Sequence, residues 1–181
     1  MSGMVDDLLA IAVATSGGRS LLKVAPVSAA SLLDRAAEAA RPLFEDQGIE
    51  LEIEAPGELP EIRVDSDRVL RVFANLLDNA LKFTAHHGRV VLRAQVESAG
   101  VRFSVANTGP ALSAAELESM FRRFWQARDQ DRRGAGLGMS ICRSIVEAHG
   151  GSIWAEAEPG KRVRICFTLP LPSVSTPAPA A

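Results

Sequence analysis

The sequence predicts an α+β domain: a two-layer sandwich in which helices cover one face of a mixed, mostly antiparallel sheet. Three observations predict it. A helix capped by Asp65 runs through the stretch Asn75–Thr84, and its apolar positions Val69, Leu70, Val72, Phe73, Leu76, Leu77, Ala80 and Leu81 recur at helical spacing to make one broad face. Residues Arg89–Glu97 and Val101–Val105 alternate apolar and polar around Ser98-Ala99-Gly100, a hairpin signal. Ser152–Ala157 and Val163–Leu169 make a second hairpin around Pro159-Gly160. Strands that outnumber helices and pair by hairpins leave the helices to pack on one side of the sheet.

Taken in order, Val5–Ala14 reads as a short helix or the stub of a longer one, ended by Ser16-Gly17-Gly18. Leu22–Val27 follows as a strand. Ser28 caps a helix that runs to Leu43 or Phe44, with Pro42 weakening its last turn and Gly48 just beyond. Ile49–Glu54 alternates Ile, Leu, Ile with Glu, the pattern of a half-buried strand. A turn-rich link leads to a brief strand, Ile62–Val64, before the Asp65 helix. After the Gly109-Pro110 break, Ser113 and Glu116 form a capping box for a helix running to about Trp125. Residues 127–133 are polar and Arg-rich. Leu137–His149 is a helix closed by Gly150-Gly151. Residues 171–181 form a Pro/Ala tail without apolar period, expected to be disordered.

Composition narrows the function. Of 181 residues 47% are hydrophobic, enough for a core, yet no apolar run approaches the roughly 20 residues of a membrane span. A net charge of −2 gives no bulk attraction to nucleic acid or to a membrane surface. Cys142 and Cys166 lie far apart, outside any paired-ligand spacing, and read as reduced, buried thiols in a cytoplasmic setting.

Chemistry concentrates in three places. On the helix face opposite the apolar stripe, Arg68, Arg71, Asn75, Asp78, Asn79 and Lys82 align at steps of three and four. Asn is disfavoured in helix interiors by a few tenths of a kcal/mol (~0.3) against Glu or Lys, so two of them one turn apart call for a reason. An Asn carbonyl is a hard oxygen suited to Mg²⁺, and the Lys82 ammonium suits a phosphate; a plain solvated face is the alternative. Gly134-Ala135-Gly136-Leu137-Gly138 opens a helix, where backbone N–H groups and the dipole favour an anion, although a flexible hinge has the same composition. Asn107-Thr108-Gly109-Pro110-Ala111-Leu112 places a polar side chain at a strand end beside a tight turn. There Asn107 can face a base edge while Leu112 covers the ring; a simple β-turn is the other reading.

Together these motifs resemble, over roughly Val24–Pro170, the catalytic ATP-binding domain of a bacterial sensor histidine kinase, a member of the GHKL ATP-binding superfamily. The resemblance is carried by an asparagine box around Asn75 and Asn79, a first glycine box at 107–111, the phenylalanine box Phe121-Arg122-Arg123-Phe124, a second glycine box at 134–138, and the closing Ile145-Val146-Glu147-Ala148-His149-Gly150-Gly151. It implies residues 22–170 as the ATP-binding domain and residues 1–21 as the end of the second helix of a dimerisation hairpin with its linker. It also implies ATP and Mg²⁺ as ligands. Asn79 would ligate the metal with Asn75 beside it, Lys82 would meet a phosphate oxygen and Phe83 would flank the nucleoside. Asn107 would read the adenine amino group next to Gly109, Ala111 and Leu112. Gly134, Gly136, Leu137 and Gly138 would wrap the phosphates. Residues 113–133 would be an ATP lid anchored by Phe121 and Phe124, with Arg128, Arg132 and Arg133 as its cations, and Thr168 would sit near the adenine. Implied partners are the hairpin that carries the phosphoacceptor histidine and a response regulator, with no nucleic acid or membrane contact by this region. The setting would be cytoplasmic, including the cytoplasmic part of a membrane-anchored sensor.

Two departures stand out. The family pattern has Asp where this chain has Asn107, and Gly where it has Ala111. The loss of charge assistance, about 1.5–3 kcal/mol against about 1 for a neutral bond, lowers affinity roughly several-fold to tenfold. Ala111 adds strain if its backbone needs positive φ. His86, His87 and His149 lie outside any phosphoacceptor motif. Asn75 stands where hydrolytic relatives of the gyrase type carry a Glu base, which argues against simple ATP hydrolysis. The alternative to a kinase domain is a degenerate module that acts by docking other proteins.

Overall fold

The computed structural model describes residues 22–125, 136–158 and 162–172. Within them the order is β1 (Ala25–Ser28), α1 (Ala29–Asp46), β2 (Glu50–Glu54), β3 (Glu61–Val64), α2 (Ser66–Phe83), β4 (Arg89–Glu97), β5 (Gly100–Thr108), α3 (Ala114–Ser119), α4 (Gly138–Ala148), β6 (Ile153–Glu158) and β7 (Arg162–Pro170). The expected helix stub at Val5–Ala14, the Arg-rich segment and the tail beyond residue 172 fall outside the described residues.

Five strands form one sheet in the order β2-β4-β5-β7-β6. Only β2 and β4 run parallel, because the chain between them crosses over through β3 and α2. The remaining pairs are antiparallel, two of them hairpins. The sheet is therefore mixed and mostly antiparallel, with the helices on one face, as the hairpin pattern predicts. β1 and β3 pair separately as a two-stranded ribbon.

Strand alternation decides the two faces. Leu92, Ala94, Phe103, Val105, Ile165, Phe167 and Leu169 point inward and are buried. Phe73 from α2 meets Phe103 and Phe167 edge-on, with ring centroids 5.3 and 5.2 Å apart, and so fixes α2 over the middle of the sheet. On the outer face arginines and glutamates pair across strands: Arg89 with Glu50 at 3.0 Å, Arg102 with Glu97 at 3.1 Å, and also Arg93 with Glu54 and Arg164 with Glu158.

Several boundaries differ from the sequence reading. α1 continues through Pro42 to Asp46, because Pro42 and Glu38 both lie on the exposed side. The Glu38 carbonyl that proline leaves unpaired can turn to water. β1 starts at Ala25 rather than Leu22, since the Lys23 N–H is taken by Asp65 Oδ2 at 3.1 Å. β5 extends to Thr108, which makes Asn107 part of the strand. The capping box at Ser113 and Glu116 forms, but α3 ends at Ser119 instead of Trp125. Met120 and Phe121 turn into the core, and the Phe124 N–H bonds the Gly136 carbonyl at 3.0 Å.

Candidate functional site

The C-terminal half of α2 gathers the three motifs. Asn79 Nδ2 donates to Met139 Sδ at 3.0 Å in the first turn of α4. A Cβ at Gly138 would stand 3.4 Å from Asn75 Oδ1, so the glycine helix start lies directly against the asparagine stripe. At the other end, a Cβ at Gly109 would stand 2.8 Å from the Phe83 carbonyl and 2.9 Å from Asn107 Nδ2. The first glycine turn is thereby locked between the end of α2 and the end of β5, and that close approach requires glycine.

Each polar group has a definite local state. The Asn79 bond to Met139 spends its donor and leaves Oδ1 with no partner among the described residues. That is a neutral, hard oxygen, the donor type that Mg²⁺ accepts beside phosphate oxygens and water. Asn75 Nδ2 is buried and faces the Cys142 thiol. Lys82 Nζ pairs with Asp78 Oδ2 at 2.6 Å, one turn back, and both side chains are well exposed. Such a pair contributes under about 1 kcal/mol, so a phosphate can compete for the ammonium. α4 begins at Gly138 after Leu137, which gives no side-chain cap, and has no acidic residue in its first turn. Its uncapped N–H groups and dipole favour an anion. Asn107 is 8% exposed, lies between Val90 and Val163 in register, and has no side-chain hydrogen bond among the described residues.

The structure brings together Asn75, Asn79, Gly138 and Met139 on one side, and Phe83, Asn107 and Gly109 on the other. Gly136 takes φ +65°, and a Cβ there would meet the Trp125 carbonyl at 2.8 Å. Leu137 is buried and Leu112 packs partly against the core. Gly134 and the lid arginines Arg128, Arg132 and Arg133 lie outside the described residues.

Three expectations are corrected. Thr168 is not near Asn107: it pairs with Arg102 on the outer face, and its hydroxyl accepts the Ser152 N–H at 3.1 Å. The residue opposite Asn107 on β7 is Val163, five positions and about 17 Å along the strand. Phe121 is a core residue, whereas Phe124 is 71% exposed with φ +61°, so only the first of the pair anchors this segment. Ala111 is exposed and does not take positive φ, which removes the strain expected there.

Sequence reasoning missed two contributors. Met139 follows the second glycine box directly, and its sulfur sets the orientation of the Asn79 amide. Asp78, at i,i+4 from Lys82, is its ion partner. A groove of about 790 Å³ between α1 and α2, lined by Leu43, Leu70, Leu77 and Leu81, shares Asp78 with this site.

An amide-bearing helix facing an uncapped glycine helix start, on a mixed α+β sheet, is an arrangement suited to an anionic ligand. The chain belongs to the histidine kinase-, DNA gyrase B- and HSP90-like ATPase family, whose model matches residues 64–173. It is 37% identical over 175 residues to the adaptive-response sensory kinase SasA of Synechococcus sp. (strain JA-3-3Ab), which covers 94% of this chain and 46% of that protein. Full-length ShkA, solved in complex with AMPPNP, superposes with a TM-score of 0.82 at 34% identity, covering 93% of this chain and 35% of ShkA. Histidine kinase ThkA, solved in complex with response regulator protein TrrA, shares the fold at a TM-score of 0.78 and 24% identity, over 94% of this chain and 48% of ThkA. The chain thus spans less than half the length of the curated relative it matches.

Proposed function

We propose that residues 22–170 are the ATP-binding catalytic domain of a two-component sensor histidine kinase, binding Mg-ATP and passing its γ-phosphoryl to a histidine beyond these 181 residues. The observation that carries this reading is the state of Asn79: its donor is spent on Met139 and its oxygen is left for a hard cation. Beside it, Asn75 lines the floor, Lys82 exchanges Asp78 for a phosphate oxygen, and Gly134, Gly136, Leu137 and Gly138 wrap the phosphates. Phe83, Leu112 and Ala111 flank the nucleoside, Gly109 shapes its turn and Asn107 reads the base. Magnesium, when bound, neutralises charge on the phosphates, and the protein's part is positioning. Arg128, Arg132 and Arg133 are cations for the terminal phosphate.

The match to ShkA, solved with AMPPNP, supports ATP as ligand; the phosphoacceptor hairpin and a response regulator are the partners this reading adds. In this reading residues 1–21 end the hairpin; the expected tail does not begin at residue 171, since Leu171 packs against the core and its N–H bonds the Ala99 carbonyl at 3.3 Å. The setting is cytoplasmic, within a soluble kinase or a membrane-anchored sensor; no helix among the described residues is long and apolar enough to cross a membrane.

One observation favours a second reading. Asn107 gives the base a neutral amide where the family pattern offers a carboxylate, as befits a degenerate module that holds nucleotide weakly and docks other proteins. Calorimetric titration of the native chain and Asn107→Asp with ATP and Mg²⁺ separates the two. The kinase reading expects native binding below millimolar nucleotide. Binding only after Asn107→Asp selects the degenerate module.

A further inference from the structure

We propose that Asn107 opens the base subsite to 6-oxopurine nucleotides, so that a nucleoside triphosphate carrying hypoxanthine or guanine is accepted alongside ATP. The inference rests on the nucleotide reading above and adds to it the class of base.

Asn107 is the last inward-facing residue of β5, 8% exposed, with apolar Val90 and Val163 as its cross-strand neighbours. Its amide bonds nothing among the described residues, and its polar atoms are not sealed from their surroundings. An amide open to its surroundings is completed by water or by a ligand that displaces it. With no protein bond to hold it, the amide is free to turn about its last torsion, which for Asn is broad and roughly two-fold.

The donor and acceptor inventory then decides what fits. At position 6 adenine offers an amino donor beside the N1 acceptor, whereas a 6-oxopurine offers an O6 acceptor beside an N1–H donor. A carboxylate only accepts: it pairs with the adenine amino group, and with a 6-oxopurine it can take N1–H but has no donor for O6. A carboxamide carries one of each. In one orientation Oδ1 accepts from the adenine amino group while Nδ2 donates to N1. Turned over, Nδ2 donates to O6 and Oδ1 accepts from N1–H. Both orientations satisfy the amide, so the residue present here has no polar ground for rejecting a 6-oxopurine. Strong rejection requires a site group left unpaired by the wrong ligand, and neither base leaves one.

Inosine triphosphate isolates the effect, because hypoxanthine differs from guanine by lacking the 2-amino group. The whole chain is titrated calorimetrically with Mg²⁺ and either ATP or inosine triphosphate, and the pair is repeated with Asn107→Asp. The expected result is native dissociation constants within about fivefold of each other, while Asn107→Asp moves their ratio about tenfold in favour of ATP, because the carboxylate has no donor for O6. A native chain that binds ATP about 30-fold or more tighter than inosine triphosphate overturns the inference and leaves the nucleotide reading intact. So does a native chain that binds neither while Asn107→Asp binds ATP. If neither protein binds any nucleotide, both readings fall together.

Discussion

His149 and Asp65 lie 84 residues apart in sequence and meet at the ends of α2 and α4 away from the site: the Asp65 backbone N–H donates to His149 Nε2 at 3.0 Å. His149 Nδ1 in turn donates to the Ile145 carbonyl at 2.8 Å, so the tautomer with its proton on Nδ1 satisfies both contacts. Asp65 accepts from the Arg68 N–H at 3.3 Å, capping α2, and from the Lys23 N–H at 3.1 Å. One buried pair therefore ties the segment before β1, the start of the asparagine helix and the end of the glycine-box helix. Although a histidine at a helix C-terminus suits the dipole as a cation, this one serves as a neutral joint.

His149→Ala leaves the Asp65 N–H without a partner and opens a small cavity. The expected loss is about 2–3 kcal/mol of folding stability. A urea midpoint unchanged from the native chain would contradict the joint.

Phe73→Ala removes the ring that seats α2 on Phe103 and Phe167. Large-to-small changes at such positions cost about 3–5 kcal/mol. The same denaturation series measures it, and a cost under about 1 kcal/mol would mean that the helix is held elsewhere.

Gly109→Ala pushes a methyl toward the Phe83 carbonyl and the Asn107 amide. The methyl meets backbone that cannot swing aside, so the expected stability loss is about 1–3 kcal/mol, which leaves the fold intact. Nucleotide affinity should fall about tenfold or more, by displacement of the base-reading group. Calorimetry and a urea curve on one preparation separate the two effects; unaltered affinity counts against Asn107 as the base contact.

Much of this was legible beforehand. The two stripes of α2 follow directly from a 3.6-residue period, and β4 spans Arg89–Glu97 as its alternation indicates. The Thr168 assignment failed although the signal was present. Val163, Ile165, Phe167 and Leu169 alternate with Arg164, Cys166 and Thr168, and that parity already puts Thr168 on the face away from the helices. The end of α3 was not legible, because it depends on Phe121 entering the core and on a bond from Phe124 to Gly136. The Asp65–His149 contact has no local signature at all. Neither does the Met139 bond that orients Asn79, since both join residues by tertiary packing alone.

Burial pushes the Cys142 thiol up to about 12 from 9.0, and burial followed by the Glu156 charge does the same for Cys166. The folded values lie above the unfolded ones, so both states keep the proton below about pH 9 and the thiols' contribution is fully present there. Between about pH 9 and 12 the unfolded chain gives up protons that the folded chain keeps, and stability falls. Urea midpoints should drop from about pH 8 to about pH 10.5, and by less in the double variant Cys142→Ala, Cys166→Ala. An equal drop in both proteins would assign the effect to other groups.

The central claim is that Asn79 offers its free oxygen to a magnesium ion held against nucleotide phosphates. Its most direct test is the magnesium dependence of ATP affinity in the native chain and in Asn79→Ala, by calorimetry with and without the metal. The account predicts that magnesium tightens ATP binding to the native chain about tenfold or more and has no such effect on Asn79→Ala. Equal magnesium enhancement in both proteins, or none in the native chain, would contradict it.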